Sequence, residues 1–487
     1  MRLSELMGRS ADSRDPDLAG LTLDSRKVQP GFLFAALSGT KHDGTTFIAD
    51  AAKRGAVAIL ADERAVLPQL PSEIVVVRDD NPRHRIALMA AAFAGLQPAT
   101  IAAVTGTNGK SSTVHFLRQI WSALGHKAAS VGTLGIVSST LNRDSGLTTP
   151  DPVQLHADLA TLAKDGVGHL AVEASSHGLD QHRLDGLKLA AAAFTNLTHE
   201  HLDYHVSMDG YFAAKARLFE TLLPSSGTAI VNADADRADA LATICRRRRI
   251  RFWSYGFKGK EFRLVRVTPT AAGQHLVLNV LGTRHEVDLP LVGSFQASNA
   301  MAALGLAVAT GADPARAVAA LTGLSGAPGR LQLVARHKNG APVYVDYAHK
   351  PEALETVLAT LRAFTKSKLV VVFGCGGDRD RAKRPVMGEI ATRLADLTIV
   401  SDDNPRSEEP AAIRAEIVRG IPANRENWRE VSDDRRAAIA AGLAALAGPD
   451  DLLLIAGKGH ETGQTIKGVT HRFDDAGVAR ELMAVKS

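Results

Sequence analysis

Cysteine is scarce in this sequence: 487 residues contain two, Cys245 and Cys375. Two thiols cannot build the disulfide framework of a small secreted domain, and they suit a reducing compartment. Also missing is any apolar run long enough to span a bilayer, and residues 1 to 10 contain no apolar signal core. These absences lead us to expect a soluble, cytoplasmic protein without a membrane partner. Glycine and proline are scattered rather than clustered, and 45% of residues are apolar, so globular domains are expected throughout, two or three at this length. There is no acidic excess; the formal charge is +5, which suits nucleic acid or an anionic small substrate. One dense basic run, Arg246 to Arg249 with Arg251, precedes Phe252, Trp253 and Tyr255, a combination found in nucleic-acid binders. It reads more simply as the end of a helix, where cations meet the negative end of the dipole, followed by a strand. No nucleic-acid partner is expected.

What is present is organised around Val104-Thr105-Gly106-Thr107-Asn108-Gly109-Lys110-Ser111-Ser112-Thr113. It follows an apolar run at residues 101 to 104 and leads into apolar residues at helical spacing, so it reads as strand, glycine turn and helix. Gly106 and Gly109 let backbone N–H groups turn towards one anion, and the helix starting near Lys110 aims its positive dipole end at the same place. Lys110 supplies a mobile charge for the β- and γ-phosphates, and Ser111 a hydroxyl for Mg²⁺. The usual pattern has its first glycine where this chain has Val104, so the match is to a tighter variant.

Residues 1–98 read as a small α/β domain: the run 21–26 precedes the run 31–36, Thr40-Lys41-His42-Asp43-Gly44 opens a helix, and residues 56–60 and 74–77 read as strands. Asn81 and Pro82, within Asp80-Asn81-Pro82-Arg83, read as N-cap and first helical residue. Residues 99–332 alternate strand and helix, which predicts a mostly parallel sheet with ligands at the strands' carboxyl ends. Thr148-Thr149-Pro150-Asp151, Glu173 with Ser175-Ser176-His177-Gly178, then Gln181 and Arg183, and the run Asn196 to His205 all fall at such ends. Histidine and acid at that density near a phosphate loop point to Mg²⁺ rather than zinc, for which no ligand pair has the usual spacing. Tyr211 to Phe219 reads as a helix, with Lys215 taken alone as a solvated surface lysine. Residues 333–487 place polar loops after successive strands, at Asp346 to Pro351, Gly374 to Asp380, Ser401 to Arg406 and Ala456 to Glu461, as in a Rossmann-like doubly wound domain.

The combination Thr-Gly-Thr-Asn-Gly-Lys-Ser, Glu-Ala-Ser-Ser-His-Gly-Leu, Tyr-x-x-Ala-Lys-x-x-Leu-Phe, Asp-Tyr-Ala-His-x-Pro and Gly-Lys-Gly-His-Glu resembles the Mur ligase superfamily over nearly the whole chain. Within it, the set is similar to the ligases that add the third residue of the peptidoglycan stem peptide. The resemblance implies a UDP-binding first domain, a P-loop ATPase-like central domain and an amino-acid-binding third domain. It also implies ATP-driven amide formation through an acyl phosphate, acting as a monomer on UDP-N-acetylmuramoyl-L-Ala-D-Glu and meso-diaminopimelate with Mg²⁺.

The ATP contacts it implies are Gly106, Thr107, Asn108, Gly109, Lys110, Ser111, Ser112, Asn299, Arg330 and Asp346, with His349 nearby. Ser111, Glu173, His201 and a carboxylated Lys215 are implied around the metal, and Lys110, Glu173, His201 and Lys215 as the catalytic set. Leu23, Ser25, Thr40, Lys41 and His42 are implied at the UDP end of the substrate, and Thr148, Thr149, Ser175, Gln181 and Arg183 nearer its dipeptide. Arg379, Asp403, Asn404, Pro405, Arg406, Gly457 and Glu461 are implied for diaminopimelate. There Arg406 can grip a distal carboxylate that lysine lacks. Gln296 and Leu147 depart from the family pattern. The tetrapeptide Asp-Asn-Pro-Arg occurs twice, and position assigns the amino-acid role to the copy in the third domain. Two other readings share parts of the pattern, a folylpolyglutamate synthetase-like ligase and a non-catalytic nucleotide switch. The type of first domain and the later Asp-Asn-Pro-Arg disfavour the former; the acidic residues, Lys215 and Arg406 disfavour the latter.

Overall fold

A computed structural model of the chain describes residues 1–8, 14–39, 43–144, 146–270, 273–432 and 434–484. Thr40, Lys41 and His42 lie outside the described residues. The chain divides into two compact units, Met1–Arg263 with Met301–Ala317, and Leu264–Ala300 with Val318–Ser487.

The first unit holds two sheets. β1 (Gly20–Thr22), β2 (Phe32–Ala36), β3 (Ala58–Asp62) and β4 (Val75–Asp79) form an all-parallel sheet in sequence order. Both faces are covered: Leu33, Ala35, Ala58 and Leu60 join one apolar cluster, and Phe34, Ala36 and Ile59 another. That is why these strands read as continuous apolar runs rather than alternating ones. Asn81 caps the following helix Pro82–Ala94, accepting from His84 N at 3.1 Å, with Pro82 at the first turn as expected.

The central sheet is built from β5 (Thr100–Thr105), β6 (Ala128–Gly132), β7 (Gly135–Val137), β8 (Asn142–Arg143), β9 (His169–Glu173), β10 (Leu189–Phe194), β11 (Thr228–Asn232) and β12 (Arg251–Gly256). Its order is β12-β11-β10-β5-β9-β6-β7-β8, parallel from β12 through β6. β5 therefore lies between two strands that come much later in the chain, with Val104 opposite Glu173 and Thr105 opposite Phe194. This register brings the carboxyl ends of three strands together. The arginine run closes the helix Ala238–Arg248 ahead of β12, as its dipole reading required.

β13 (Phe262–Thr270) carries the chain into the second unit. There β14 (Gly273–Val280) and β15 (Thr283–Leu289) form a hairpin, and the helix Ser294–Ala309 leads back. The third sheet comprises β16 (Gln332–Arg336), β17 (Pro342–Asp346), β18 (Leu369–Phe373), β19 (Leu397–Val400), β20 (Trp428–Glu430) and β21 (Leu452–Ala456), ordered β16-β17-β21-β18-β19-β20. Only β16 runs antiparallel to its neighbour. Val371, Phe373 and Leu454 face one apolar cluster while Val370, Val372 and Leu453 face the other, so the sheet is covered on both sides. The four polar loops expected from the sequence all leave its carboxyl edge. A short hairpin, β22 (Gly463–Ile466) and β23 (Val469–Arg472), follows.

Candidate functional site

The glycine turn after β5 has the expected form. Gly106 has φ +141° and Gly109 φ +87°, and a Cβ on Gly106 would collide with the Thr195 hydroxyl. The helix Lys110–Ala123 starts on Gly109. What the sequence did not reveal is that the loop is latched to the segment after β10. Thr107 N and Asn108 N donate to the Asn196 backbone and side-chain oxygens, both at 2.9 Å, and Thr195 Oγ1 donates to Asn108 O at 2.6 Å. Thr198 N donates to Thr107 Oγ1 at 3.0 Å. Lys110 Nζ folds over the loop, donating to Gly106 O at 3.0 Å and Thr107 O at 2.8 Å.

Glu173, at the end of β9, is buried, and Thr133 fixes it: the backbone N–H donates to Oε1 at 2.9 Å and the hydroxyl to Oε2 at 3.2 Å. Thr133 was not singled out from the sequence. The same hydroxyl meets Thr148 Oγ1 at 3.0 Å. Thr149 Oγ1 donates to Glu173 O at 3.0 Å and lies 2.9 Å from Ser175 Oγ. Arg183 donates to Thr149 O at 2.7 Å and through Nη2 to Gln181 Oε1 at 2.7 Å. The structure thus brings Thr148, Thr149, Ser175, Gln181 and Arg183 into one polar cluster continuous with Glu173. Leu23 and Ser25 follow β1, at the carboxyl edge of the first sheet.

Lys215 corrects its sequence reading. It is not solvated: only 1% of it is exposed. Its helix, Met208–Arg217, ends earlier than expected and passes into a wider turn at Leu218–Leu222. Lys215 Nζ donates to Gly106 O at 2.8 Å and lies 4.3 Å from the centre of the Tyr211 ring. Burial, reinforced by the charge of Lys110, holds its pKa well below the usual lysine range. That shift favours the neutral, nucleophilic form of the amine. Around it stand His177, His201, Tyr204, His205 and Tyr211, with the rings of His177 and His201 4.9 Å apart and those of His205 and Tyr211 5.2 Å apart. Burial lowers the pKa of His177 and His205 and pushes the Tyr211 hydroxyl up to about 12.

In the second unit, Asp346 closes β17 and is buried. Its carboxylate accepts from Leu331 N at 2.6 Å and Ala348 N at 2.8 Å, yet burial raises its pKa to about 6 against the opposing pull of Arg330. The Arg330 guanidinium lies 4.7 Å from the Tyr347 ring centre. Gln296, which departs from the family pattern, holds this group together: it donates to Arg330 O at 3.1 Å and accepts from Asn299 at 3.1 Å. His349 donates to Tyr347 O at 2.7 Å, and burial pushes its pKa down to about 4.

The loop after β18 and the β22–β23 hairpin converge on Arg406, which lies in the loop after β19. Its guanidinium donates to Gly377 O at 2.7 Å, and its backbone, at φ +53°, is tied to β22 and the turn after it by Arg406 N to Thr465 O and Lys467 N to Arg406 O, both 2.7 Å. Asn404 Oδ1 accepts from Thr465 N at 2.8 Å. Asp403 is buried, with its pKa raised by that burial, so Asp403 and Asn404 frame the loop while Arg406 carries its charge. Arg379 is exposed beside it. Glu461 accepts from the Tyr347 hydroxyl at 3.4 Å and lies 3.7 Å from the buried Lys458 ammonium.

Behind these loops stand two arginines that the sequence did not flag. Arg435, fully buried with Asp475, donates to Ala456 O at 2.9 Å and Asp402 O at 3.1 Å. Arg384, also fully buried, pairs with Glu408 and Glu416 and donates to Gly376 O at 3.2 Å. His84, His182 and Asp185 form the one potential metal-ligating group of three found among the described residues, and it includes none of the expected metal ligands.

The profile of the Mur ligase middle domain matches residues 104–307, that of the Mur ligase glutamate ligase domain residues 329–459, and that of the Mur ligase family catalytic domain residues 17–94. A protein of Caulobacter vibrioides named UDP-N-acetylmuramoyl-L-alanyl-D-glutamate–2,6-diaminopimelate ligase is 52% identical, over 100% of this chain and 99% of its own. One of the same name from Brucella melitensis is 50% identical, over 97% and 96%. A solved structure of a ligase of that name has a TM-score of 0.75 at 34% identity, covering 99% of this chain and 98% of its own. A folylpolyglutamate synthase from Mycobacterium tuberculosis has a TM-score of 0.62 at 19% identity, covering 83% of this chain and 95% of its own, a likeness of fold alone.

Proposed function

The chain belongs to the Mur ligase family, and from that premise we propose that it is an ATP-dependent ligase adding meso-diaminopimelate to UDP-N-acetylmuramoyl-L-alanyl-D-glutamate in peptidoglycan precursor synthesis. The full-length likeness to ligases of that printed name carries the reading. In this reaction the D-glutamyl carboxylate attacks the γ-phosphorus and ADP leaves. The amine of diaminopimelate then attacks the acyl phosphate, and phosphate departs from the tetrahedral intermediate as the amide forms. Lys110 meets the charge of the transferring phosphoryl group, with Gly106, Thr107, Asn108, Gly109, Ser111 and Ser112 around the phosphates. Asn299, Arg330 and Asp346 are proposed as further nucleotide contacts.

Thr148, Thr149, Ser175, Gln181 and Arg183 would orient the dipeptide, and Leu23, Ser25, Thr40, Lys41 and His42 the UDP end. Arg406 would grip the distal carboxylate of diaminopimelate, supported by Arg379, Asp403, Asn404, Pro405, Gly457 and Glu461. Lysine would leave the Arg406 guanidinium unpaired, which is the basis of its rejection.

The residues fit a hard divalent cation. Glu173 is a buried carboxylate with its orientation fixed by Thr133, and Ser111 opens the phosphate-loop helix. Lys215 as an ammonium offers only donors; burial favours its neutral amine, the form whose lone pair reacts with CO₂, and the resulting carbamate offers oxygens. Mg²⁺ held by Ser111, Glu173, His201 and carboxylated Lys215 would neutralise phosphate charge. Among the described residues no helix is long and apolar enough to cross a membrane, and we assign the activity to a cytoplasmic monomer.

The test supplies ATP, Mg²⁺ and UDP-N-acetylmuramoyl-L-Ala-D-Glu, then compares meso-diaminopimelate with L-lysine by phosphate release and product mass. Diaminopimelate is expected to be used far better. Preference for lysine overturns the specificity, and no turnover with either overturns the reaction.

A further inference from the structure

The first copy of Asp-Asn-Pro-Arg and the three-residue cluster beside it have no part in the chemistry so far. They meet at Asp185, whose side chain is 2% exposed. Its Oδ2 accepts from His84 Nδ1 at 2.5 Å, His182 Nδ1 at 2.9 Å and Arg217 Nη2 at 2.7 Å, while Oδ1 accepts from Arg217 Nη1 at 2.8 Å. Asp185 O also faces His156 Nε2 at 2.9 Å. Two histidines and an aspartate are the residue types of a zinc site. Here, however, Arg217 Nη2 is 2.7 Å from both Asp185 Oδ2 and His182 Nδ1, a fixed positive charge on the atoms a metal would use. The group is an ion-pair cluster.

Its donors come from three segments that each bear on the proposed site. His84 belongs to the helix capped by Asn81, and Asn81 Nδ2 reaches His182 Nε2 at 3.2 Å. Arg217 ends the helix that carries Lys215, and its Nη1 also donates to Leu179 O at 3.1 Å. His182 lies between Gln181 and Arg183 and holds a left-handed backbone, φ +57°, uncommon for a residue with a Cβ. Its neighbours turn the other way, Gln181 to the Tyr204 hydroxyl at 3.2 Å and Arg183 to Thr149 O. Fixing His182 therefore fixes the direction of both.

We propose that Asp185 is a positioning residue for the acyl substrate: by clamping His182 against Asn81, His84 and Arg217, it holds Gln181 and Arg183 in the orientation that receives the dipeptide end. The proposal rests on the substrate assignment above, and it gives the first Asp-Asn-Pro-Arg copy a task, since Asn81 and the adjoining His84 are two of the clamp's arms.

Asp185→Asn keeps the size and removes the charge that Arg217 and His84 share. In full-length protein it is expected to raise KM for UDP-N-acetylmuramoyl-L-Ala-D-Glu at least tenfold while leaving KM for ATP and for diaminopimelate within twofold. Amide hydrogen exchange should accelerate at residues 179–184 and stay unchanged at residues 401–406. The double variant Asn81→Ala, His84→Ala perturbs the more exposed arms and is expected to show the same pattern about threefold; it decides the matter if Asp185→Asn does not fold. Equal changes in all three KM values, a lowered melting temperature with KM for the UDP substrate unchanged, or unaltered exchange at residues 179–184 would overturn the clamp. Failure of the unmodified protein to use the UDP substrate would overturn the reaction instead, and the exchange measurement would still decide the clamp.

Discussion

Replacing Lys215 by alanine removes a buried amine whose nitrogen shares the Gly106 carbonyl oxygen with Lys110. The two nitrogens lie 2.8 and 3.0 Å from that oxygen, so they are at most about 5.8 Å apart. Two like charges at that separation repel by about 3 kcal/mol at an effective dielectric of about 20. The repulsion and the burial both favour the neutral amine. Carboxylation reverses the sign, since a carbamate would attract Lys110 by a similar ~3 kcal/mol, and alanine forfeits that term. At about 1.4 kcal/mol per factor of ten, Lys215→Ala is expected to lower kcat about a hundredfold. Lys215→Arg should fail similarly, because a guanidinium does not form the carbamate and restores the repulsion. Formate or acetate should partly rescue the alanine variant only, and unmodified enzyme should lose activity in carbonate-free buffer and regain it with bicarbonate. Steady-state phosphate release measures all four. Full activity in unrescued Lys215→Ala, or in Lys215→Arg, would refute the reasoning.

Arg406→Ala deletes the proposed grip on the distal carboxylate, a charge-assisted contact worth about 2 kcal/mol or more, and should raise KM for diaminopimelate roughly thirtyfold. Arg83→Ala in the first copy, where the side chain donates to Ser38 O at 2.5 Å, should leave that KM within twofold; equal losses would show that position does not separate the repeats. Asp346 gives a pH signature. Its pKa rises from 3.8 to about 6 on folding, so the native state binds the extra proton and stability falls as pH rises through this range, by about 3 kcal/mol in all. Comparing urea unfolding of unmodified protein and Asp346→Asn at pH 4 and pH 8 should reveal a shift of that size in the asparagine variant's favour, whereas a pH-independent difference would refute it. Arg435→Met strands Asp475 as a buried unpaired charge and should cost about 3–5 kcal/mol of stability; a loss below about 1 kcal/mol would contradict the buried-pair geometry.

The phosphate loop was legible because its requirements are local. Glycine at positive φ, a lysine at the helix start and an apolar strand before them are all written within ten residues. The polar loops of the third sheet were legible for a similar reason, since strand ends carry ligands in such sheets and the strands are continuous apolar runs. The latch at Thr195, Asn196 and Thr198 was not, because it depends on β5 lying beside β10, a pairing of residues about ninety positions apart. Thr133 beside Glu173 and Gln296 beside Arg330 escaped in the same way. A threonine or glutamine becomes informative only when its partner is known.

The buried cations are a different case, because a local signal was present. Lys215 stands four residues after Tyr211 and three before Leu218, on one face, and all three are buried. Arg435 stands in the same relation to the buried Ala438, Ile439 and Gly442, and Arg384 to Met387, Gly388 and Ala391. Read for composition, each is an ordinary helical lysine or arginine. Read for phase, each occupies a position in an apolar stripe, where a charge costs several kcal/mol unless it is paired or neutralised. The solutions differ. Arg435 and Arg384 keep their charge and meet carboxylates and loop carbonyls, so they brace the loops around Arg406. Among the described residues no carboxylate is found as an ion-pair partner of Lys215, and a second lysine lies close by. The sequence phase therefore predicts burial, and the partner found in the fold separates a bracing cation from a reactive amine.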